Sequence, residues 1–235
     1  IMVCISENSR EKELQYIDLL YSHRVLGIVV CSHIGETMEH LDSNCPLISF
    51  EREIAENIPA VLCDNYQGGI LAANRLFDAG CRNIAIFNQP TKENIPAYSR
   101  EKAFMKCCED KKISGRVVYT DRLAPLSEEF GNNILELLKK NSDLDGIFAT
   151  SDVMAANIIR ACKKMGKRVP EDISIVGFDD TWISTLTYPS ITTIHQPVQE
   201  MCEYAIEAIV KKVKSEKVPS QVVFPVELID RESTK

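Results

Sequence analysis

At 235 residues the chain is long enough for one large domain or two small ones, and its net charge of -7, with a pI near 5.3, leaves no Lys/Arg stripe of the kind that binding to a phosphate backbone needs. Its composition, 45% hydrophobic and 26% charged, is that of a soluble globular protein. The longest apolar runs, such as Ile28-Val29-Val30-Cys31 and Val222-Val223-Phe224, fall far short of the roughly 18 residues a membrane span requires, so these residues are expected neither to cross a bilayer nor to bind nucleic acid themselves.

Short β-branched apolar runs alternate with longer amphipathic stretches, the pattern of βαβ units and parallel sheets. In chain order the expected elements are strand Met2–Ile5, helix Glu11–Tyr21, strands Gly27–Cys31, Leu47–Phe50 and Ala60–Cys63, helix Tyr66–Ala79, strand Asn83–Phe87 and helix Ser99–Lys111. Strand Arg116–Tyr119, helix Ser127–Lys140, strand Gly146–Ala149, helix Asp152–Met165, strands Ser174–Phe178 and Thr192–His195, helix Val198–Lys214 and strand Val222–Leu228 follow. Gly80 and Gly166 suit the left-handed turn that ends a helix. Ser127 with Glu128 and Glu129 places a cap and negative charge at the positive end of a helix dipole. The opening Ile1–Ile5 reads as a strand that starts at the first residue, without a signal-peptide layout, as though the chain began in mid-fold. Pro90, Pro96, Pro189, Pro197 and Pro225 punctuate loops or strand ends and are candidate crossings between two lobes.

The nine cysteines include no C-x-x-C pair, and several lie in apolar runs such as Val3-Cys4-Ile5 and Val61-Leu62-Cys63, where a reduced thiol packs as a small hydrophobe. A reducing, cytoplasmic setting is therefore expected. There is no G-x-G-x-x-G, no phosphate-binding P-loop and no G-x-S-x-G, and Gly68-Gly69 alone is a weak signal. His23, His33, His40 and His195 lack metal-ligand spacing. The expectation is a binding protein with no enzymatic activity, no cofactor and no metal.

Three segments carry a likeness to a known family. Val169-Pro170-Glu171-Asp172-Ile173-Ser174-Ile175-Val176-Gly177-Phe178-Asp179-Asp180, followed by Tyr188-Pro189-Ser190-Ile191-Thr192-Thr193-Ile194-His195-Gln196-Pro197, resembles the LacI/GalR regulators' VPxDxSVVGFDD and PxLTTIxQP. Cys63-Asp64-Asn65-Tyr66-Gln67-Gly68-Gly69, with Arg75-Leu76 and Ala79-Gly80-Cys81-Arg82-Asn83-Ile84-Ala85, is similar to their DNxxGGxxAxxHLxxxGHxxIA. The ending Pro225-Val226-Glu227-Leu228-Ile229-Asp230-Arg231-Glu232-Ser233-Thr234 resembles PxELxxREST. The likeness implies an α/β effector-binding core of two doubly wound parallel-sheet subdomains joined by three crossovers, near Gln89-Pro90, His195-Gln196 and Phe224-Pro225. One subdomain would be residues 1–89 plus 196–223 and the other 90–195 plus 224–235. The family's N-terminal helix-turn-helix domain and first strand-helix unit are missing from these residues, so operator DNA is an expected partner only through that separate domain. A sugar or sugar phosphate is the implied effector, and its closing of the lobes the implied control. A transport sugar-binding protein shares the two-lobe fold, but the cysteines and the Arg231-Glu232-Ser233 ending favour the regulator. A nucleotide-dependent enzyme would need the absent glycine fingerprint. A homodimer is expected through both lobes, the C-terminal lobe contributing the helix Asp152–Met165, whose Ala155, Ala156 and Ile159 form a small apolar face, and the Tyr188-Pro189 segment.

Ligands of open parallel sheets bind beyond the carboxyl ends of the strands. The polar residues that follow the apolar runs are Glu51 and Arg52, Asp64 and Asn65, Ser151 and Asp152, and Asp179. Such a mixture suits a polyol, in which every hydroxyl both donates and accepts. The resemblance places Asp179 on the ligand, with a helix cap or an ion pair as its alternative. It also marks Arg100, whose planar fork can hold two oxygens, and Ser151, which could instead simply cap its helix. Gln196 at the second crossover, and Asn65, Arg52 and Glu51 from the first lobe, complete the expected ligand set. Glu51 is the least marked, because Phe50-Glu51-Arg52 stands where Asp-Arg is more usual. Asp64 is expected to hold its own loop or the lobe interface, and Phe178 and Trp182 to stack on a sugar or belong to the core.

Overall fold

A computed structural model describes residues 1–7, 9–31, 45–90 and 95–235; His33, His40 and residues 91–94 lie outside the described residues. Their secondary structure runs α1 (Arg10–Ser22), β1 (Ile28–Val30), β2 (Leu47–Phe50), β3 (Ala60–Cys63), α2 (Asn65–Asp78), β4 (Asn83–Asn88), α3 (Tyr98–Lys111) and β5 (Ser114–Tyr119). It continues through α4 (Glu128–Lys140), β6 (Gly146–Ala149), α5 (Asp152–Lys164), β7 (Ser174–Asp179), α6 (Ile183–Leu186), β8 (Thr192–His195), α7 (Val198–Val213), β9 (Gln221–Phe224) and β10 (Glu227–Ile229). The chain divides into two compact units, Ile1–Cys63 with Pro197–Phe224 and Asp64–Gln196 with Pro225–Lys235.

In the first unit the described strands form a parallel sheet in the order β1-β2-β3-β9, with Ile28 beside Leu47, Ser49 beside Ala60 and Val61 beside Val222. Ser9 caps α1 by accepting from the Lys12 amide. That helix sends Leu20 and Tyr21 onto a cluster of Ile28, Leu47 and Ile58. α7 covers the strands through buried Met201, Ala205, Ala208 and Ile209, the i, i+4, i+7, i+8 pattern of one helix face.

The second unit is a sheet in the order β10-β8-β7-β6-β4-β5, parallel except where β10 runs antiparallel to β8. Its central strands β4, β6 and β7 are buried on both faces, as parallel strands covered by helices must be. Ala85, Phe87, Ile147, Ala149 and Ile175 point to one face, where Phe130 and Ile134 of α4 and Ile158 of α5 meet them. The opposite face stacks Phe104 of α3, Phe148 and Phe178 at centroid distances of 5.8 and 6.5 Å. Each such ring or aliphatic side chain contributes roughly 1.5–3 kcal/mol when fully removed from water.

Four expectations change. Residues 64–89 belong with the second unit, not the first, because β4 is hydrogen-bonded between β5 and β6 and α2 packs on β6, β7 and β8. The first crossing is accordingly at Cys63/Asp64. Met2–Ile5 is not a strand: Ile1, Val3 and Ile5 are exposed, and among the described residues no strand pairs with the segment. Apolar residues alone do not hold a strand whose backbone groups lack a ladder partner. Val222–Leu228 breaks at Pro225 into β9 of the first unit's sheet and β10 of the second's. Finally, Ala155 and Ile159 of α5 are buried in the second unit's own core, which removes them from any surface that a partner could reach.

Candidate functional site

In the second unit the strand order runs outward from β4 to β5 and then returns to β6 on the other side of β4, so the topology switches direction between β4 and β6. A crevice opens at the carboxyl ends of strands at such a point. Here the Thr150 hydroxyl, just past β6, donates to Asn88 Oδ1 at the end of β4 at 3.2 Å. Asn88 in turn donates to Glu101 at 3.0 Å, and the Tyr119 hydroxyl donates to the same carboxylate at 2.8 Å.

Arg100 reaches this point from the first turn of α3. Only 8% exposed, it donates from Nε to Asn65 Oδ1 and from Nη1 to the Thr150 carbonyl at 3.1 Å. Its guanidinium carbon lies 3.4 Å from the centre of the Phe178 ring, a cation–π stack. Asn65, expected in the first lobe, thus sits in the second unit and orients Arg100. It is placed by α2, whose cap Asp64 accepts from the Gln67 amide at 2.8 Å. The two glycines that follow allow close approach. A Cβ on Gly68 would lie 2.7 Å from the Phe178 ring, and one on Gly69 only 2.2 Å from the Arg100 carbonyl oxygen.

Asp179 ends β7 beside His195 of β8, with φ +100, and Asp180 follows at φ +56. The Gln196 amide donates to the Asp179 carbonyl at 3.5 Å, and the Gln196 side chain is buried. The Asp180 carboxylate accepts from Arg231 Nη2 at 2.6 Å and from Ser184 Oγ at 3.2 Å, and pairs with His195 Nδ1 at 3.0 Å. Burial alone would raise the Asp180 carboxyl; the hydrogen bond and charge of Arg231, with His195 and Ser184, outweigh it and hold the group below its ordinary value. The chain ending closes over the same strands. Ser233 Oγ donates to the Ile175 carbonyl at 2.6 Å and accepts from the Thr192 amide at 2.8 Å, while Glu232 accepts from the Ser190 amide and hydroxyl. Ser151, between β6 and α5, accepts from the Met154 amide at 3.2 Å and so caps α5.

In the first unit Glu51 turns back at φ +53 and accepts from the Cys63 amide, bracing β2 to β3. Arg52 Nη1 donates to the Glu51 carbonyl at 2.6 Å, and Ser49 Oγ donates to the Arg52 carbonyl at 2.8 Å. A surface groove of about 340 Å³ also lies in this unit, lined by Glu56, Lys212 and Glu216 among others at the end of α7. It is remote from any strand's carboxyl end and gathers no buried donors, so the cluster around Arg100 and Asp179 is the stronger site.

The structure therefore brings Asn65, Arg100, Ser151, Asp179 and Gln196 to the carboxyl ends of β4, β6, β7 and β8 in one unit. Sequence reasoning missed the Thr150 carbonyl, the Arg100 stack on Phe178 and the hold of Arg231 on Asp180. The signals were present as the buried Phe of Gly-Phe-Asp-Asp and the Arg of the Arg-Glu-Ser-Thr ending.

A family model described as periplasmic binding protein-like domain matches residues 73–234. The ribose operon repressor of Halalkalibacterium halodurans is 31% identical over 236 residues, covering 100% of this chain and 70% of that protein. The sucrose operon repressor of Streptococcus mutans is 28% identical over 232 residues, covering 99% and 71%. A crystal structure of a periplasmic binding protein/LacI transcriptional regulator from Alkaliphilus metalliredigens, complexed with D-xylulofuranose, is 33% identical with a TM-score of 0.87, covering 100% of this chain and 87% of that one. The complex of the transcriptional regulator CelR with cellobiose is 25% identical with a TM-score of 0.84, covering 96% and 71%.

Proposed function

Because the chain belongs to the periplasmic binding protein-like family, as the effector-binding core of a LacI-type transcriptional repressor, we propose that its second unit binds a small uncharged sugar at the carboxyl ends of β4, β6, β7 and β8. The observation that carries this reading is the placement of one guanidinium, Arg100, and one carboxylate, Asp179, at the ends of strands in the same sheet. An arginine has five N–H donors. Asn65 and Thr150 take two directions of the Arg100 fork, and the remaining donors serve ligand oxygens. Asp179 accepts from hydroxyls, and Ser151 and Gln196 add neutral polar contacts. One positive and one negative group match a neutral polyol better than a phosphate ester. Glu51 is set aside because its carboxylate braces Cys63, and Arg52 remains a candidate on the family likeness alone. Support for a sugar also comes from the D-xylulofuranose and cellobiose complexes of similar regulators.

The test is a thermal-shift panel of D-xylulose, D-ribose, sucrose, cellobiose and ribose 5-phosphate. A sugar present at about 100 times its Kd adds about 2.7 kcal/mol of stability, and a rise of roughly 5–10 °C is expected for a neutral sugar. A shift with the phosphate alone, or with no sugar, would remove the reading.

Operator DNA is the proposed partner of a separate helix-turn-helix domain, in a cytoplasmic protein whose nine cysteines are all thiols. No described helix is long and apolar enough to cross a membrane. We also propose a homodimer, now resting on a different surface from the buried face of α5. Trp182, Leu186 and Tyr188 are 71%, 73% and 92% exposed along one short segment of the second unit. Apolar groups so exposed and so close in sequence mark an interaction surface. Sedimentation at tens of micromolar should give twice the chain mass, and Tyr188→Glu should give one. A monomeric wild type counts against the dimer.

A further inference from the structure

Asp152 opens α5 one residue after the Ser151 cap, yet its carboxylate serves two other elements. Fully buried, it accepts from the Thr181 amide at 2.6 Å and the Thr181 hydroxyl at 3.1 Å, beyond β7, and from the Thr193 hydroxyl of β8 at 2.6 Å. Among the described residues no cation forms an ion pair with it, and burial pushes its carboxyl above the ordinary value despite those three bonds. β7 makes room for it: a Cβ on Gly177 would lie 2.5 Å from Asp152 Oδ1. A buried carboxylate without a cation is unfavourable to keep, and α5 already has its cap in Ser151. The reason for the arrangement lies in what Thr181 follows. Asp179 and Asp180 both stand at positive φ, which L-residues disfavour, so their turn keeps its shape only where the residues on both sides are held. Arg231, His195 and Ser184 hold Asp180 on one side, and Asp152 holds Thr181 on the other.

We propose that Asp152 is a positioning residue for the effector site, fixing the Asp179-Asp180 turn through the amide and hydroxyl of Thr181. This rests on the sugar-binding reading above. Trp182, the chain's one tryptophan, comes directly after Thr181, and in a Tyr188→Glu background, where no partner copy covers it, reports the motion of the turn without any ligand. Two matched hydroxyl deletions separate the loop side from the sheet side. Thr181→Val should lower the fluorescence anisotropy of Trp182 and weaken D-xylulose binding by about threefold, and Asp152→Ala should do both more strongly, with at least about a tenfold loss of affinity. Thr193→Val, which removes a bond of the same kind from β8, should change neither. Asp152→Asn should behave as wild type, since its amide oxygen can accept from Thr181 and its NH2 can donate to the Thr193 hydroxyl. The proposal is overturned if Thr181→Val and Asp152→Ala leave the anisotropy unchanged, or if Thr193→Val lowers it equally. Should Asp152→Ala not fold, the two threonine variants decide alone. If wild type binds no D-xylulose, the neutral panel sugar that raises its melting midpoint takes its place; if none does, the sugar reading has failed, and the anisotropy still decides whether Asp152 holds the turn.

Discussion

Gly69→Ala is expected to lower the melting midpoint of the second unit by on the order of 10 °C. The added Cβ would sit 2.2 Å from the Arg100 carbonyl oxygen and 3.0 Å from Ala103 Cβ, so a rigid helix backbone, not a flexible side-chain tip, stands in its way. Either α2 or α3 must move. Overpacking of this kind costs about 1–3 kcal/mol and sometimes more. The gain in helix propensity from replacing glycine, up to about 1 kcal/mol, offsets only part of that. Displacing α3 also carries Arg100 away from Asn65 and Thr150, so sugar affinity should fall together with stability. Gly80→Ala is the control. Gly80 has φ +88 but open space around its Cβ position, so the change should cost about 1–2 kcal/mol from backbone strain and leave affinity intact. Scanning calorimetry and titration of both variants check the pair; a Gly69→Ala protein with wild-type melting and wild-type affinity would mean that the helices do not cross as closely as described.

That glycine shows what the sequence could and could not convey. Alternation of apolar runs with amphipathic stretches identified the α/β class, because period 2 and period 3.6 are local properties. Which sheet a strand joins is not local. Ile84-Ala85-Ile86-Phe87 is apolar on both faces, as any central parallel strand is, and only its pairing with β5 and β6 assigns it to the second unit. The same holds for Ala155 and Ile159, whose small apolar face looked available to a partner until Phe130 and Ile134 of α4 were found in the core they join. At the site, Asp179 was legible as a polar residue that ends an apolar strand, and Gln196 only through the family likeness at the second crossover. The partners of Arg100 were not, since its hydrogen bonds reach back 35 residues to Asn65 and forward 50 to Thr150. Likewise Gly177 and Asp152 are unremarkable alone and explain each other only once β7 and α5 are adjacent.

Asp179→Gly is expected to abolish most sugar binding while costing the protein little stability. Asp179 adopts φ +100 at the end of β7, where the Cβ of an L-residue crowds the backbone at a cost of about 1–2 kcal/mol. Glycine removes that strain and the greater freedom of its unfolded chain takes back about 0.4–1 kcal/mol, which leaves between zero and about 1.6 kcal/mol to offset the loss of the side chain's own contacts. Affinity, by contrast, falls. The lost carboxylate accepts charge-assisted hydrogen bonds from ligand hydroxyls, each worth about 1.5–3 kcal/mol, so Kd should rise at least ~10-fold and up to several hundred-fold. Backbone strain kept at a residue in this way is a mark of a functional position. Asp180→Gly provides the contrast. It relieves a similar φ of +56 but deletes the acceptor for Arg231, Ser184 and His195, and should therefore lose stability as well as affinity. Calorimetric titration with whichever panel sugar binds the wild type, beside melting curves without sugar, separates the two roles. Equal affinities for wild type and Asp179→Gly would show that this carboxylate belongs only to its loop, and the proposed contacts would then have to centre on Arg100.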